Sequence, residues 1–166
     1  YTGAQRVLLV LDNCEQIIGA AAVLCRDLLT RCPNLLVLAS SREGLGVAGE
    51  ALYRVPSLSL PDENATADEA YRHDSVRLFA ERSQLASSEF AVTPDNVAAV
   101  VSICRRLDGI PLALELAAAR TRSLSPAQIL DRLSERVALL TAAERNAQGR
   151  QRTLLSTIEW SFDLLG

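Results

Sequence analysis

Polar side chains that could bind a phosphorylated ligand follow two apolar runs near the start of the sequence. Asp12 comes directly after the unbroken apolar run 7–11, and Arg42 follows a second run, 35–39, after two serines. A carboxylate is a preferred ligand of Mg²⁺, and a guanidinium can bind a phosphate through two parallel hydrogen bonds. Together these side chains predict a site for a divalent cation and a phosphate.

Two strands and one helix are predicted to position these side chains. Each apolar run is typical of a strand that is buried on both faces. Between the runs, apolar residues from Ile17 to Leu29 recur at helical spacing, which predicts an amphipathic helix of about 16 residues. The order strand, helix, strand predicts parallel strands joined by a right-handed crossover. Both carboxyl ends then lie at one edge of the sheet, where open α/β sheets bind their ligands.

The same residues also fit purely structural roles. Asp12 and Glu15 have the spacing of a capping box, in which the aspartate accepts hydrogen bonds from first-turn amides and the glutamate reaches back. This role is compatible with Mg²⁺ binding, so both interpretations stay open for Asp12. Arg42 fits a solvated loop arginine as well as a phosphate ligand.

The rest of the chain changes from mixed to purely helical patterning. Residues 51–55 predict a third, short strand, and the acidic segment Asp62–Asp68 predicts a domain boundary. The predicted organisation is an α/β domain over 1–61, a helical domain over 70–141 and a further helical segment over 150–166. Local signals mark the helix ends in the helical domain: Asp74 or Ser75, Thr93-Pro94, Asp108-Gly109, Pro111 and Ser125-Pro126.

Composition excludes several classes of protein. The chain has 166 residues and a net charge of -3, which gives no overall electrostatic case for binding nucleic acid. No apolar run approaches the ~18 residues of a membrane span, and no signal peptide is indicated, so a cytoplasmic protein without a membrane partner is expected. A single histidine, His73, makes a histidine-based metal cluster or catalytic triad improbable. The four cysteines form no C-x-x-C pair and are interpreted as small apolar residues or idle thiols.

Two residue types are missing altogether. The sequence contains no Met, which indicates a piece of a longer or processed protein, and it contains no Lys, so that all 17 basic residues are Arg. A phosphate-binding loop of the type G-x-x-x-x-G-K-[ST] needs its lysine to reach the β and γ phosphates. No complete loop of this type is therefore present in the sequence.

Five segments in a fixed order resemble the nucleotide-binding module of the STAND class of signalling ATPases, in particular bacterial transcriptional regulators with an NB-ARC-like core. The resemblance covers nearly the whole chain. In chain order the segments are LLVLDNCEQ, LVLASSREGL, DSVRLFAERS, ICRRLDGIPLALELAAARTRSLSP and RQRTLLSTIEWSFDLL.

The resemblance implies a fold and a set of site residues. The fold is α/β: the carboxyl-terminal part of a three-layer P-loop domain, followed by a helical bundle and, over 150–166, the first helix of a winged-helix domain. Asp12 matches the Walker B aspartate that coordinates Mg²⁺, and Arg42 matches the arginine that senses the γ-phosphate. Gly109 and Pro111 match the G-x-P motif beside the adenine. Position 13 is Asn where related ATPases often have a second acid, which leaves Glu15 as a weaker candidate for the general base.

The function implied by the resemblance is an ATP/ADP switch with Mg²⁺, which regulates transcription or signalling by rearranging domains. The phosphate loop would lie upstream of Tyr1, and contact with DNA would be made through a separate effector domain. The parent protein would be at most a slow ATPase, and this chain alone would not be an enzyme. The alternative is a helical interaction scaffold with a vestigial sheet and no nucleotide, which would bind partners through the helix 112–119 and the segment near Trp160. The acidic net charge and the missing recognition helix argue against direct DNA binding by this chain.

Overall fold

A computed structural model describes residues 5–143 of the chain, with side chains as far as residue 134. The chain divides into two compact units between Val55 and Pro56. The first unit contains a small parallel sheet and the second contains only helices among the described residues. The predicted winged-helix segment, 150–166, lies outside the described residues.

The first unit is a strand, helix, strand arrangement. Strand β1 (Val7–Leu11) lies parallel to strand β2 (Leu35–Ala39), with Val7 opposite Leu35 and Leu11 opposite Ala39. Between them, a 3₁₀ turn (Cys14–Gln16) leads into helix α1 (Ile18–Arg31). The helix ends one residue before Cys32-Pro33, where Cys32 N–H donates to Leu28 O at 2.8 Å. The predicted parallel pairing of these two strands is confirmed.

The two faces of the sheet differ in exposure. Side chains of both strands alternate between half-buried and exposed positions, in step with the pleat. The exposed set comprises Leu8, Val10, Leu36 and Leu38, each between 59% and 64% exposed. The prediction that both faces are buried is therefore wrong for the structure as described, because α1 is the only helix of this unit within 5–55 and covers a single face.

The predicted third strand over 51–55 is also absent from the structure. These residues have no regular secondary structure, and Leu52, Tyr53 and Val55 are 76%, 83% and 74% exposed. A strand needs a neighbour to bind its backbone N–H and C=O groups. In the described chain, β1 and β2 pair only with each other, so this segment has the apolar residues of a strand without a partner.

Within residues 56–143 the second unit packs five helices around one core. They are α2 (Ala67–Ala70), α3 (Asp74–Ala86), α4 (Val97–Arg106), α5 (Pro111–Ala118) and α6 (Pro126–Ala143), with a 3₁₀ turn at Ala119–Arg122. The largest fully buried side chains include Phe79, Ile103, Leu114 and Ile129, one from each of the four longer helices. The core is therefore shared between α3, α4, α5 and α6.

The local sequence signals predicted some helix ends correctly and others incorrectly. Pro111 and Pro126 begin α5 and α6 as predicted, and Ser125 caps α6 by accepting from Gln128 N–H at 3.3 Å. The predicted start at Thr93-Pro94 is wrong, because α4 begins at Val97. None of the helices within 5–143 is both long and apolar enough to cross a membrane.

The segment 56–61 packs with the helices, although the sequence assigned it to the α/β domain. Ser59 supplies the cap of α3: its Oγ accepts from Asp74 N–H at 2.9 Å, and its carbonyl accepts from Ser75 Oγ at 2.6 Å. Pro61 is buried, and its carbonyl accepts from Arg105 Nη1 at 3.0 Å. Neither Asp74 nor Ser75 caps α3 with its own side chain, so the cap predicted there is wrong. These contacts place the amino-terminal boundary of the helical unit at Pro56, earlier in the chain than the predicted residue 70.

A fragment comparison tests this boundary. Residues 56–143 should unfold cooperatively by circular dichroism, whereas residues 70–143 should melt at a clearly lower temperature. The shorter fragment lacks Ser59, Pro61 and the Thr66 capping box of α2, whose hydroxyl accepts from Glu69 N–H at 3.4 Å. Losing a helix cap costs ~1 kcal/mol by itself. Equal melting temperatures for the two fragments would show that the segment contributes nothing to the helical unit.

Candidate functional site

Asp12 lies at the carboxyl edge of the parallel sheet and is hydrogen-bonded to the residue that follows the neighbouring strand, β2. Ser40, the first residue after β2, donates a hydrogen bond from its Oγ to Asp12 Oδ1. The same Oγ accepts from Asn13 N–H at 2.9 Å. The structure therefore confirms that the two strand ends bring their polar residues together, and it gives Asp12 a partner that the sequence did not identify.

The backbone reinforces this arrangement. Ser40 N–H donates to Leu11 O and Cys14 N–H donates to Ser40 O, both at 2.9 Å. Between these bonds Asn13 has φ 60° and ψ 47°, a left-handed conformation that asparagine tolerates better than most residues. Asn13 thus makes the turn that places Asp12 at the sheet edge and Cys14 in the interior.

The capping role predicted for Asp12 and Glu15 is wrong. No side chain caps the 3₁₀ turn or α1, and Ile17 stands at the N-cap position of α1. A 3₁₀ turn separates Asp12 from α1, and its carboxylate accepts from Ser40 Oγ instead. Glu15 is half-buried within that 3₁₀ turn. Since no helix needs the Asp12 carboxylate, its chemistry is available for a ligand.

Arg42 follows Ser40 at the same end of β2. Its side chain is exposed and forms no ion pair within residues 5–143. The glycine-rich loop 44–49 follows Arg42 in the chain. Glu50 stabilises this loop, because its two carboxylate oxygens accept from the N–H groups of Leu45 and Gly46, each at 2.8 Å. Gly44, Gly46 and Gly49 by themselves favour a flexible loop, and the two bonds to Glu50 give it a defined conformation.

Gly109 and Pro111 lie in the second unit, which is described separately from the first. Gly109 has φ 62°, and its carbonyl accepts from Leu58 N–H at 3.0 Å. A Cβ added to Gly109 would lie only 2.5 Å from Leu58 O. Packing against the segment 56–61 therefore accounts for this glycine without a ligand.

Pro111 lines a shallow groove of about 250 Å³. That volume lies below the ~300–1,000 Å³ typical of small-molecule pockets. Its lining mixes apolar and charged side chains, and Arg77 lies 3.7 Å from Asp74 one turn away on the same helix, α3. The lining residues are Leu58, Asp74, Arg77, Leu78, Glu81, Pro111 and Glu115. The groove is therefore too small and too open to enclose a whole nucleotide.

The carboxylate of Asp12 is compatible with a divalent cation that brings further ligands with it. Within residues 5–143, no three His, Cys, Asp or Glu side chains cluster as a metal site. Mg²⁺ commonly binds one or two carboxylates and completes its shell with phosphate oxygens and water. Asp12 supplies one such carboxylate. The remaining ligands would have to come from a nucleotide and from water.

Thiol chemistry is not favoured at either unit. All four cysteines are free, and Cys14, Cys25 and Cys104 are buried. Burial raises the pKa of the Cys104 thiol to about 12, so that it stays protonated at neutral pH. The interpretation of these cysteines as small apolar residues agrees with their burial.

Comparison with known proteins gives relatives by sequence. No family model and no solved structure matches the chain. A Mycobacterium tuberculosis protein and its Mycobacterium bovis counterpart, each named "Putative HTH-type transcriptional regulator", are 48% identical over 165 residues, which is 99% of this chain and 18% of theirs. An "Uncharacterized protein" of Mycobacterium tuberculosis is 46% identical over 160 residues, 96% of this chain and 38% of its own. The chain thus spans less than two fifths of these relatives, and over nearly its whole length it is similar to a segment of proteins named as HTH-type transcriptional regulators.

Proposed function

We propose that this chain forms part of an ATP/ADP-binding switch of the STAND class within a transcriptional regulator. The observation that carries the proposal is the Asp12 carboxylate, which Ser40 fixes at the carboxyl edge of a parallel sheet while no helix uses it as a cap. The similarity to proteins named as transcriptional regulators supports the regulatory part of the proposal.

The first unit would supply ligands for the phosphates of the nucleotide. Asp12 would hold Mg²⁺, which when bound neutralises charge on the phosphates, and Arg42 would contact the γ-phosphate with its exposed guanidinium. The phosphate loop would come from another part of the full-length protein. Glu15 remains the candidate for the general base, in a protein that would hydrolyse ATP slowly.

A switch requires only that ATP and ADP favour different arrangements of the domains. Arg42 would contact ATP but not ADP, because only ATP carries the γ-phosphate. Such a difference in contacts supplies the difference in affinity that shifts an equilibrium between two states. Contact with DNA would belong to a separate effector domain of the regulator.

A scaffold that binds partner proteins is the second candidate. The exposed apolar sheet face formed by Leu8, Val10, Leu36 and Leu38 favours it, because large apolar patches often mark interaction sites. The helix 112–119, which the sequence offered as a partner surface, does not support it. In that helix Ala113, Leu114, Ala117 and Ala118 are fully buried in the core. Trp160 lies outside the described residues.

Nucleotide titration of the full-length protein tests the proposal. With Mg²⁺ present, Arg42→Ala should weaken ATP binding by about 10- to 100-fold, because a hydrogen bond to a charged group is worth ~1.5–3 kcal/mol. ADP binding should change much less. Arg26→Ala, which removes another exposed arginine of the first unit, should leave both affinities unchanged. A wild-type protein that binds neither nucleotide at millimolar concentration would overturn the proposal in favour of the scaffold.

A further inference from the structure

We propose that Ser40 is a positioning residue, whose hydroxyl orients the Asp12 carboxylate for its cation. This inference rests on the proposed function and adds a residue to it. Ser40 reaches Asp12 from the neighbouring strand, 28 positions along the chain.

The two partners of the Ser40 hydroxyl determine which group donates in each of its hydrogen bonds. Its oxygen accepts from Asn13 N–H at 2.9 Å, and its proton is donated to Asp12 Oδ1. Because the backbone amide of Asn13 can only donate, the serine proton is left for the carboxylate. The left-handed turn at Asn13 and the orientation of Asp12 are therefore coupled through one oxygen atom.

This coupling restrains a side chain that would otherwise be mobile. Asp12 is exposed and caps no helix, and the bond from Ser40 is the restraint on its carboxylate that the described residues show. The Ser40 bond occupies Oδ1 and leaves Oδ2, which accepts no hydrogen bond from the described residues. A cation then meets one oxygen at a fixed position. Groups that orient a metal ligand in this way commonly change metal affinity by 10- to 100-fold when they are removed.

The role of the hydroxyl separates cleanly from that of the backbone. Ser40 N–H and C=O already join β2 to Leu11 and Cys14, both at 2.9 Å. Those two bonds survive any side-chain substitution. Removing the hydroxyl therefore affects the orientation of Asp12 more than the pairing of the strand ends.

The test measures the Mg²⁺ concentration that half-saturates ATP binding by the full-length protein. Ser40→Ala should raise this concentration about tenfold while ATP affinity in EDTA and the melting temperature stay near wild type. Ser40→Thr keeps a hydroxyl on the same carbon and should restore the wild-type value. Thr30→Ala removes the hydroxyl that donates to Arg26 O at 2.7 Å within α1, and as a matched control it should change nothing.

The outcomes separate this inference from the proposed function. If Asp12→Asn abolishes the Mg²⁺ dependence and Ser40→Ala leaves it unchanged, the inference fails and the proposed function stands. If Asp12→Asn has no effect either, the proposed function fails. A Ser40→Ala protein that loses melting temperature and Mg²⁺-free ATP affinity together would assign the hydroxyl a structural role and would also overturn the inference.

Discussion

Gly109→Ala is expected to destabilise the helical unit by about 2–4 kcal/mol, within the range of substitutions that introduce backbone strain and a clash. The left-handed φ of 62° is unfavourable for alanine, at a cost of ~1 kcal/mol. The new Cβ would also lie 2.5 Å from Leu58 O, a backbone atom that no rotamer change can move. The segment 56–61 would have to shift, which breaks the bond from Leu58 N–H to Gly109 O.

Urea unfolding of the intact chain, followed by far-ultraviolet circular dichroism, measures this effect, because most described helical residues belong to the second unit. Gly19→Ala is the matched control, since a Cβ at Gly19 meets no atom within 4 Å and the residue lies in α1. That substitution should be neutral or stabilise by ~0.5–1 kcal/mol. A free energy of unfolding for Gly109→Ala equal to that of wild type would mean that the segment 56–61 is not anchored at Gly109.

Asp12→Asn in the full-length protein is expected to weaken Mg²⁺-dependent ATP binding by about a hundredfold or more. The substitution removes a full charge from the cation's ligand, a larger change than the loss of an orienting group, which costs ~10- to 100-fold. The asparagine carbonyl can still accept from Ser40 Oγ, so the turn at Asn13 should persist. Because Asp12 is exposed and caps no helix, the melting temperature should hardly change.

Calorimetric ATP titrations with and without Mg²⁺ separate the two effects. ATP affinity in EDTA should be similar for wild type and Asp12→Asn, since the carboxylate acts through the cation. Asp27→Asn, which neutralises an exposed acid on α1, serves as the control for net charge. If the variant keeps the magnesium dependence of the wild type, Asp12 is not a cation ligand.

Signals contained within short stretches of sequence predicted the elements and their ends. The apolar runs 7–11 and 35–39, with a helical repeat of apolar residues between them, predicted the parallel pair of strands. Two strands joined by a helix with short connections have few other ways to pair than in parallel. Pro111 and Pro126 marked the starts of two helices, since proline fits the first turn and little else in a helix. The position of Asp12 at a strand end was equally local information.

Contacts between distant residues decided the rest. Ser40 and Asp12 are 28 positions apart in sequence, so the sequence did not identify their hydrogen bond. The spacing of Asp12 and Glu15 suggested a helix cap instead. Leu58 and Gly109 meet through backbone atoms, which carry no signature in residue type, and this contact moved the segment 56–61 into the helical unit. Residues 51–55 have the composition of a strand, but strand formation depends on a neighbouring backbone, and none of the described residues provides one. The sequence by itself therefore determined which local elements form, and tertiary contacts determined which side chains bind one another and where one unit ends.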